Sequence, residues 1–129
     1  MRGNEEPARI CDDRRVSTLY ASREWFTLKD AAAELGVSSG RLARLIEDHY
    51  LLDVRVDGER RIPKDFLKDG EPLPGLRGTL ILLADHGVVG DEAMQWLLAD
   101  DEALGEPPVE ALRKGHKSTV RKSVQLLAI

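Results

Sequence analysis

Basic side chains recur over residues 41–64 at a spacing that suits nucleic-acid binding. A guanidinium group can donate two hydrogen bonds to the O6 and N7 atoms of guanine, or it can neutralise a phosphate. Arg41 is the predicted base contact, Arg44 contacts a base or a phosphate, and the others hold backbone phosphates or a minor-groove edge. For any single residue, a solvated cation paired with a nearby carboxylate is nearly as good an explanation. The predicted contact residues are Ser39, Arg41, Arg44, Arg55, Arg60, Arg61 and Lys64.

Two helices joined by a tight turn would position the first members of this set. Thr27 can cap the first helix, and Gly36 can adopt the left-handed conformation that ends it. Ser38 or Ser39 can cap a second helix that extends to about Asp48. The apolar face of that helix is formed by Leu42, Leu45 and Ile46. This pattern indicates a helix-turn-helix whose second helix exposes its arginines.

A hairpin is predicted directly after the second helix. The apolar period changes to two from Leu51 to Val56, and Asp57-Gly58 is a strong turn signal. A two-residue loop would place Ile62 on the face opposite Val54, whereas a three-residue loop would place them together. We expect the three-residue loop, because it buries Ile62 beside Val54 and leaves Arg55 and Arg61 side by side, facing outward.

Three or four helices are predicted after a turn-rich linker at residues 70–75. Charge is divided unevenly among them. Between Asp85 and Glu110 every Asp, Glu, Lys or Arg is acidic, and between residues 111 and 129 every one is basic. The second group gives a predicted secondary basic patch of Lys117, Arg121 and Lys122.

Residues 1–24 are rich in charge and poor in large apolar side chains, which predicts a flexible N-terminal arm. Ser17, Thr18 and Ser22 are hydroxyls that a Ser/Thr protein kinase could phosphorylate, although a solvated tail is the simpler interpretation. The single cysteine, Cys11, excludes an internal disulfide framework.

Composition narrows the function classes. The chain has 129 residues, of which 42% are hydrophobic and 33% charged, with a net charge of -4. Overall acidity opposes indiscriminate binding to polyanions, so nucleic-acid binding needs a local basic face. No metal-ligand cluster, catalytic constellation or long apolar run stands out, so we expect a cytoplasmic, non-enzymatic protein without cofactor, metal or membrane segment.

Residues 27–67, with AAAELGVSSGRLARLIED followed by VRVDGERRIPKDFL, resemble excisionase and MerR-like winged helix-turn-helix domains. Residues 25–129 resemble an actinobacterial family of winged helix-turn-helix DNA-binding proteins, through LPGLRGTLILLADHG, EAMQWLL and PVEALRKGHKSTVRKSVQLLAI. A mycobacterial member is a Ser/Thr-kinase substrate, so the resemblance implies such a kinase as a partner. More weakly, the PVEAL and KSTVRKSVQLLA segments resemble the C-terminal helices of bacterial antitoxins.

These observations predict a mainly α fold with a small β-hairpin wing, namely a winged helix-turn-helix followed by a C-terminal helical domain. The expected boundaries are a flexible arm at 1–24, the winged helix-turn-helix at 25–69, a linker at 70–75 and the helical domain at 76–129, packed on the first. The leading hypothesis is a transcriptional or nucleoid-associated regulator of double-stranded DNA. The alternative is an antitoxin-like or dimeric interaction module, which binds a protein partner or itself through the C-terminal helices.

Overall fold

Capped helices form the first half of the chain in the computed structural model, which describes residues 18–128. Helix α1 (Leu28–Leu35) begins after Thr27, whose Oγ1 accepts a hydrogen bond from the Asp30 amide, and it ends at Gly36 with a φ of 71°. Helix α2 (Ser39–Glu47) begins after Ser38, whose Oγ accepts from the Arg41 amide at 3.1 Å. Both caps occupy predicted positions, and they fix the angle between the helices.

A three-stranded antiparallel sheet accompanies the two helices. Strand β3 (Glu59–Pro63) lies between β1 (Trp25–Thr27) and β2 (Val54–Val56). The sheet thus brings the segment before α1 beside the hairpin that follows α2.

The hairpin register differs from the expected one. Val56 pairs with Glu59 and Val54 with Arg61, so only Asp57 and Gly58 lie in the loop. Both loop residues have positive φ, at 54° and 84°, which is the two-residue turn that matches strand twist. The predicted three-residue loop is therefore wrong.

Short elements link the sheet to the C-terminal helices. A 3-10 turn (Lys64–Phe66) leads into β4 (Leu67–Lys68), which pairs with β5 (Glu71–Pro72). Part of the segment expected to be a linker is therefore a β-ribbon, and Leu73 after it is buried. The remaining helices are α3 (Leu76–Asp85), α4 (Gly90–Leu98), α5 (Pro108–Arg113) and α6 (Lys117–Gln125), and a 3-10 turn (Leu126–Ala128) ends the described chain.

One hydrophobic cluster spans both halves. Phe66 and Leu67 from the first half belong to the same buried cluster as Leu83 and Val124 from the second. Trp25 and Trp96 pack against it while partly exposed. The expected packing between the halves is present.

Residues 18–24 differ from the expected flexible arm. Residues 18–21 are helical, and Tyr20 is only 7% exposed. Its hydroxyl donates to Asp91 Oδ1 at 2.9 Å, while Trp25 Nε1 donates to the Tyr20 carbonyl oxygen at 2.8 Å. This segment, the N-terminal turn, therefore ties β1 to α4. Ser17, Cys11 and the rest of the predicted arm lie outside the described residues.

None of the helices within residues 18–128 has the length and apolar character needed to cross a membrane.

Candidate nucleic-acid interface

Helix α2 presents two arginines on its outer face. Leu42 is 1% exposed and anchors the inner face, whereas Ser39, Arg41 and Arg44 are exposed. Neither guanidinium group forms an ion pair or a side-chain hydrogen bond with another described residue. The N-terminal half of α2 therefore carries two cations whose donors are available to a ligand.

Arg55 and Arg60 form the basic face of the wing. They are paired directly across β2 and β3, so their side chains lie on the same face of the sheet. Arg55 Nη1 donates to the Gly58 carbonyl oxygen at 3.0 Å, and Arg60 Nε forms an ion pair with Asp53. The Arg55 charge has no acidic partner among the described residues, whereas that of Arg60 is partly offset.

Arg61 lies on the opposite face of the wing. It pairs with Val54, which is 7% exposed, so the predicted side-by-side arrangement of Arg55 and Arg61 is wrong. Arg61 Nη2 donates to Glu59 Oε1 at 3.1 Å, while its buried Nε has no hydrogen-bond partner among the described residues. It lines a cavity of about 680 Å³ with Tyr20 and Asp91.

Two interactions near this cavity hold the N-terminal turn in place. Burial, with the hydrogen bond and charge of Asp91, raises the pKa of Tyr20 and keeps its phenol neutral. Burial opposes the charge of Arg23, but the hydrogen bond to Glu110 and the charge of Asp65 together raise the pKa of Arg23. The Arg23 Nη1 atom is 2.8 Å from Glu110 Oε2 and 3.2 Å from Asp65 Oδ2.

Lys64 lies at the end of the hairpin distant from its turn. Its Nζ is 3.4 Å from Glu24 Oε1 and 5.2 Å from the centre of the Phe26 ring. These contacts give Lys64 a local role at the edge of the sheet, and its half-exposed side chain can still reach a phosphate.

The C-terminal basic patch and the hydroxyl residues are also on the surface. Lys117, Arg121 and Lys122 are exposed on α6. Thr18 is exposed, and the exposed Ser22 donates its hydroxyl hydrogen to the Leu19 carbonyl oxygen at 2.7 Å.

Sequence reasoning missed Arg77. Its Nε donates to the Asp48 carbonyl oxygen at the end of α2, at 3.0 Å, and its guanidinium carbon is 5.0 Å from the centre of the Tyr50 ring. The separation of 29 residues between Arg77 and Asp48 leaves no local pattern that could have revealed this contact. An arginine at the start of a buried helix was the available signal.

The described residues hold no group of three or more His, Cys, Asp or Glu side chains that could bind a metal ion.

Two family models match successive parts of the chain. Residues 14–67 match the winged helix-turn-helix domain of the DNA-binding protein Rv2175c, and residues 73–128 match the Rv2175c C-terminal domain of unknown function. The first match begins ahead of Trp25, where the resemblance was expected to start. A solved NMR structure of Rv2175c has 28% sequence identity and a TM-score of 0.68, covering 82% of this chain and 80% of that one. A search of curated proteins finds no match.

An exposed helix in a capped helix-turn-helix, followed by a hairpin wing, defines a winged helix-turn-helix DNA-binding domain. The predicted fold class is confirmed. The chain belongs to the Rv2175c family, with that family's C-terminal domain following the DNA-binding domain.

Proposed function

We propose that this protein binds duplex DNA with α2 in the major groove and the wing on the backbone or minor groove. Its role is that of a non-enzymatic transcriptional or nucleoid-associated regulator in the cytoplasm. The observation that supports this most strongly is the pair of exposed guanidinium groups on α2, Arg41 and Arg44, which lack an acidic partner among the described residues.

The two arginines have different expected roles. Arg41 lies in the first turn of α2, the part of a recognition helix that reads base edges, and is assigned to guanine. Arg44 lies one turn further on and contacts a base or a phosphate. Ser39 at the start of the helix contributes a hydroxyl to a base edge or phosphate.

The wing supplies backbone contacts from one face. Arg55 and Arg60 share that face, and Lys64 follows at the base of the hairpin. Arg61 is on the other face, so Arg55 and Arg60 replace the predicted pairing of Arg55 with Arg61 in this proposal. Because the net charge is -4, these local cations must overcome a repulsive average field.

A fluorescence-anisotropy titration of duplex DNA at several salt concentrations tests the proposal. Four to six phosphate contacts predict a slope of log affinity against log salt of about -4 to -5. Arg41→Ala should weaken binding and relax the preference at one base pair, by about 1 to 3 kcal/mol. Lys114→Ala is the matched control, because it also removes one positive charge but one already paired with Glu106 at 2.6 Å.

Arg41→Lys separates base reading from simple charge. Lysine keeps the positive charge but lacks the planar fork that contacts both guanine acceptors. We expect the salt slope to stay near that of the wild type while discrimination between sequences falls. No salt-dependent binding to any duplex in a random pool would refute the proposed function.

A role in protein association is the second candidate, and one observation favours it. Leu126 and Leu127 are 58% and 43% exposed at the end of the described chain, beside the basic face of α6. Apolar side chains in this position would be covered in a dimer or by a partner protein. Sedimentation of the full chain, with Leu126→Ser and Leu127→Ser as a comparison, should reveal a concentration-dependent dimer if this candidate is correct.

We also propose that a Ser/Thr protein kinase modifies the N-terminal region, as the family resemblance implies. The exposure of Thr18 supports access at that residue, whereas Ser22 would have to give up its hydrogen bond to Leu19. Phosphopeptide mapping of the protein isolated from its own cells tests Thr18, Ser22 and Ser17 together.

A further inference from the structure

We propose that the C-terminal domain carries a second DNA-binding surface, which holds backbone phosphates beside the site contacted by α2. This surface, the flanking strip, consists of Arg77 on α3 and Lys117, Arg121 and Lys122 on α6. The inference rests on the proposed function and deepens it, because it gives the C-terminal domain a direct part in binding the same duplex.

Arg77 connects the flanking strip to α2. Its hydrogen bond to the carbonyl oxygen of Asp48 places the guanidinium group at the C-terminal end of that helix. Its other close contact is the ring of Tyr50, at 5.0 Å. Both partners are neutral groups, so they orient the arginine without cancelling its charge, and the remaining nitrogen donors can bind a phosphate.

Close packing between α3 and α6 brings the next cation beside Arg77. A Cβ atom on Gly78 would lie 2.9 Å from Arg121 Nη2, so the guanidinium group rests against the bare backbone of residue 78. Since residues 77 and 78 are adjacent in α3, Arg121 extends the basic surface away from α2. A larger residue at position 78 would displace Arg121.

Lys117 joins the strip one turn earlier on α6. A Cβ atom on Gly75 would lie 3.0 Å from its Cβ, so the backbones at the starts of α3 and α6 are also close. Gly75 has a φ of 87°, which favours glycine for a separate conformational reason. Lys122 follows Arg121 in the chain and is exposed.

The orientation of α6 is fixed by its apolar side. Val120 and Val124 are completely buried, which requires the opposite side of the helix to face solvent. Lys117, Arg121 and Lys122 form no ion pair with another described residue. The nearby Lys114 does form one, with Glu106, and is therefore not part of the strip.

The chemistry of these four residues fits the DNA backbone better than base edges. They lie to one side of α2 and not within it, and two of them are lysines, which act as point charges toward phosphate. Phosphate contacts add affinity without sequence information. The strip should therefore increase affinity and the length of duplex covered, while the sequence preference stays with α2.

The test compares the wild-type full chain with the variant Lys117→Gln/Arg121→Gln/Lys122→Gln. Each phosphate contact contributes about 0.9 to the salt slope, so losing three should reduce its magnitude by about 2 to 3. At about 100 mM salt, we expect the affinity for a long duplex to fall at least tenfold, with the order of preferred sequences unchanged. For a duplex trimmed to the length contacted by α2 and the wing, the two proteins should bind almost equally.

Matched variants separate charge from structural damage. Lys114→Gln removes one charge outside the strip and should leave the slope unchanged, whereas Arg121→Gln alone should reduce it by about one. Arg121→Lys keeps the charge and should retain most of the affinity. Thermal unfolding confirms that each variant is folded before it is compared.

The outcomes distinguish the two proposals. If the wild type and the triple variant show the same slope on a long duplex, while Arg41→Ala weakens both, the flanking strip is refuted and the proposed function stands. If the wild type binds no duplex, the proposed function itself fails. A slope reduced by the triple variant and by Arg121→Gln, but not by Lys114→Gln, supports the strip.

Discussion

Phe66 offers a direct test of whether the two halves unfold as one unit. Its side chain is completely buried, and its cluster includes Leu83, Leu97 and Val124 from the C-terminal helices. Truncation to alanine would cost about 3 to 5 kcal/mol, comparable with the whole stability of a small domain. Phe66→Leu loses less volume and should cost about 1.5 kcal/mol, which leaves a folded protein to measure.

The two tryptophans provide one reporter in each half. Trp25 lies in β1 and Trp96 in α4, and both pack against the shared cluster. In Trp25→Phe and Trp96→Phe backgrounds, fluorescence during urea unfolding therefore follows each half separately. With a urea slope of about 1 to 3 kcal/mol per molar, Phe66→Leu should lower both midpoints by about 0.5 to 1.5 M, and by the same amount.

Val89→Ala is a suitable control, because Val89 is 57% exposed and its truncation should change the stability by less than about 0.5 kcal/mol. A shift reported by Trp25 alone, with the Trp96 midpoint unchanged, would show that the halves unfold independently. The packing would then be a contact between separate units.

Three further changes test contacts that define the sheet and its support. Tyr20→Phe should lower the free energy of unfolding by about 1 kcal/mol at pH 7 through loss of the hydrogen bond to Asp91, measured by urea unfolding. Because the folded-state pKa of Tyr20 is raised, wild-type stability should also fall as the pH rises above about 10, and the variant should fall less over that range. Arg23→Met strands two carboxylates and should cost about 2 kcal/mol, seen as a lower thermal midpoint. Gly58→Ala should cost about 1 to 2 kcal/mol because φ is positive there, whereas Gly58→Asn should cost less; equal thermal midpoints would contradict this.

Local chemistry made the helix-turn-helix predictable. Thr27, Gly36 and Ser38 act within a few residues of their own positions, so their capping roles can be inferred from sequence. The same holds for the Asp57-Gly58 turn, whose location was predicted. What failed was the register, because it depends on what covers each face of the sheet.

The register prediction assumed a single buried face on the hairpin. Val54 and Ile62 are both buried, but Val54 shares its face with Arg61 and Ile62 is on the other. Both faces are covered, since α1 contacts β3 and α4 contacts β2. The second cover comes from an element more than thirty residues later in the chain, which the alternating pattern of the hairpin could not reveal.

Tyr20 and Arg23 were missed for a similar reason. A single aromatic residue among charged neighbours gives no periodicity, and its partner Asp91 is 71 residues away. Arg23 resembles the other arginines of a solvated tail, yet its partners Asp65 and Glu110 belong to opposite halves of the chain. Such contacts exist only once the C-terminal helices are in place.

The two faces of the sheet therefore have different consequences for the proposed DNA contact. Arg55 and Arg60 share the face of Ile62, toward α1, while Val54 and Arg61 face the side covered by α4. The position of the wing relative to α2 then depends on both covers. If the wing holds DNA as proposed, the C-terminal helices affect affinity in two separable ways: through the phosphates held by the flanking strip, and through the support that α4 gives to β2. Only the first is salt-dependent, so a change that loosens α4 should weaken binding without altering the salt slope.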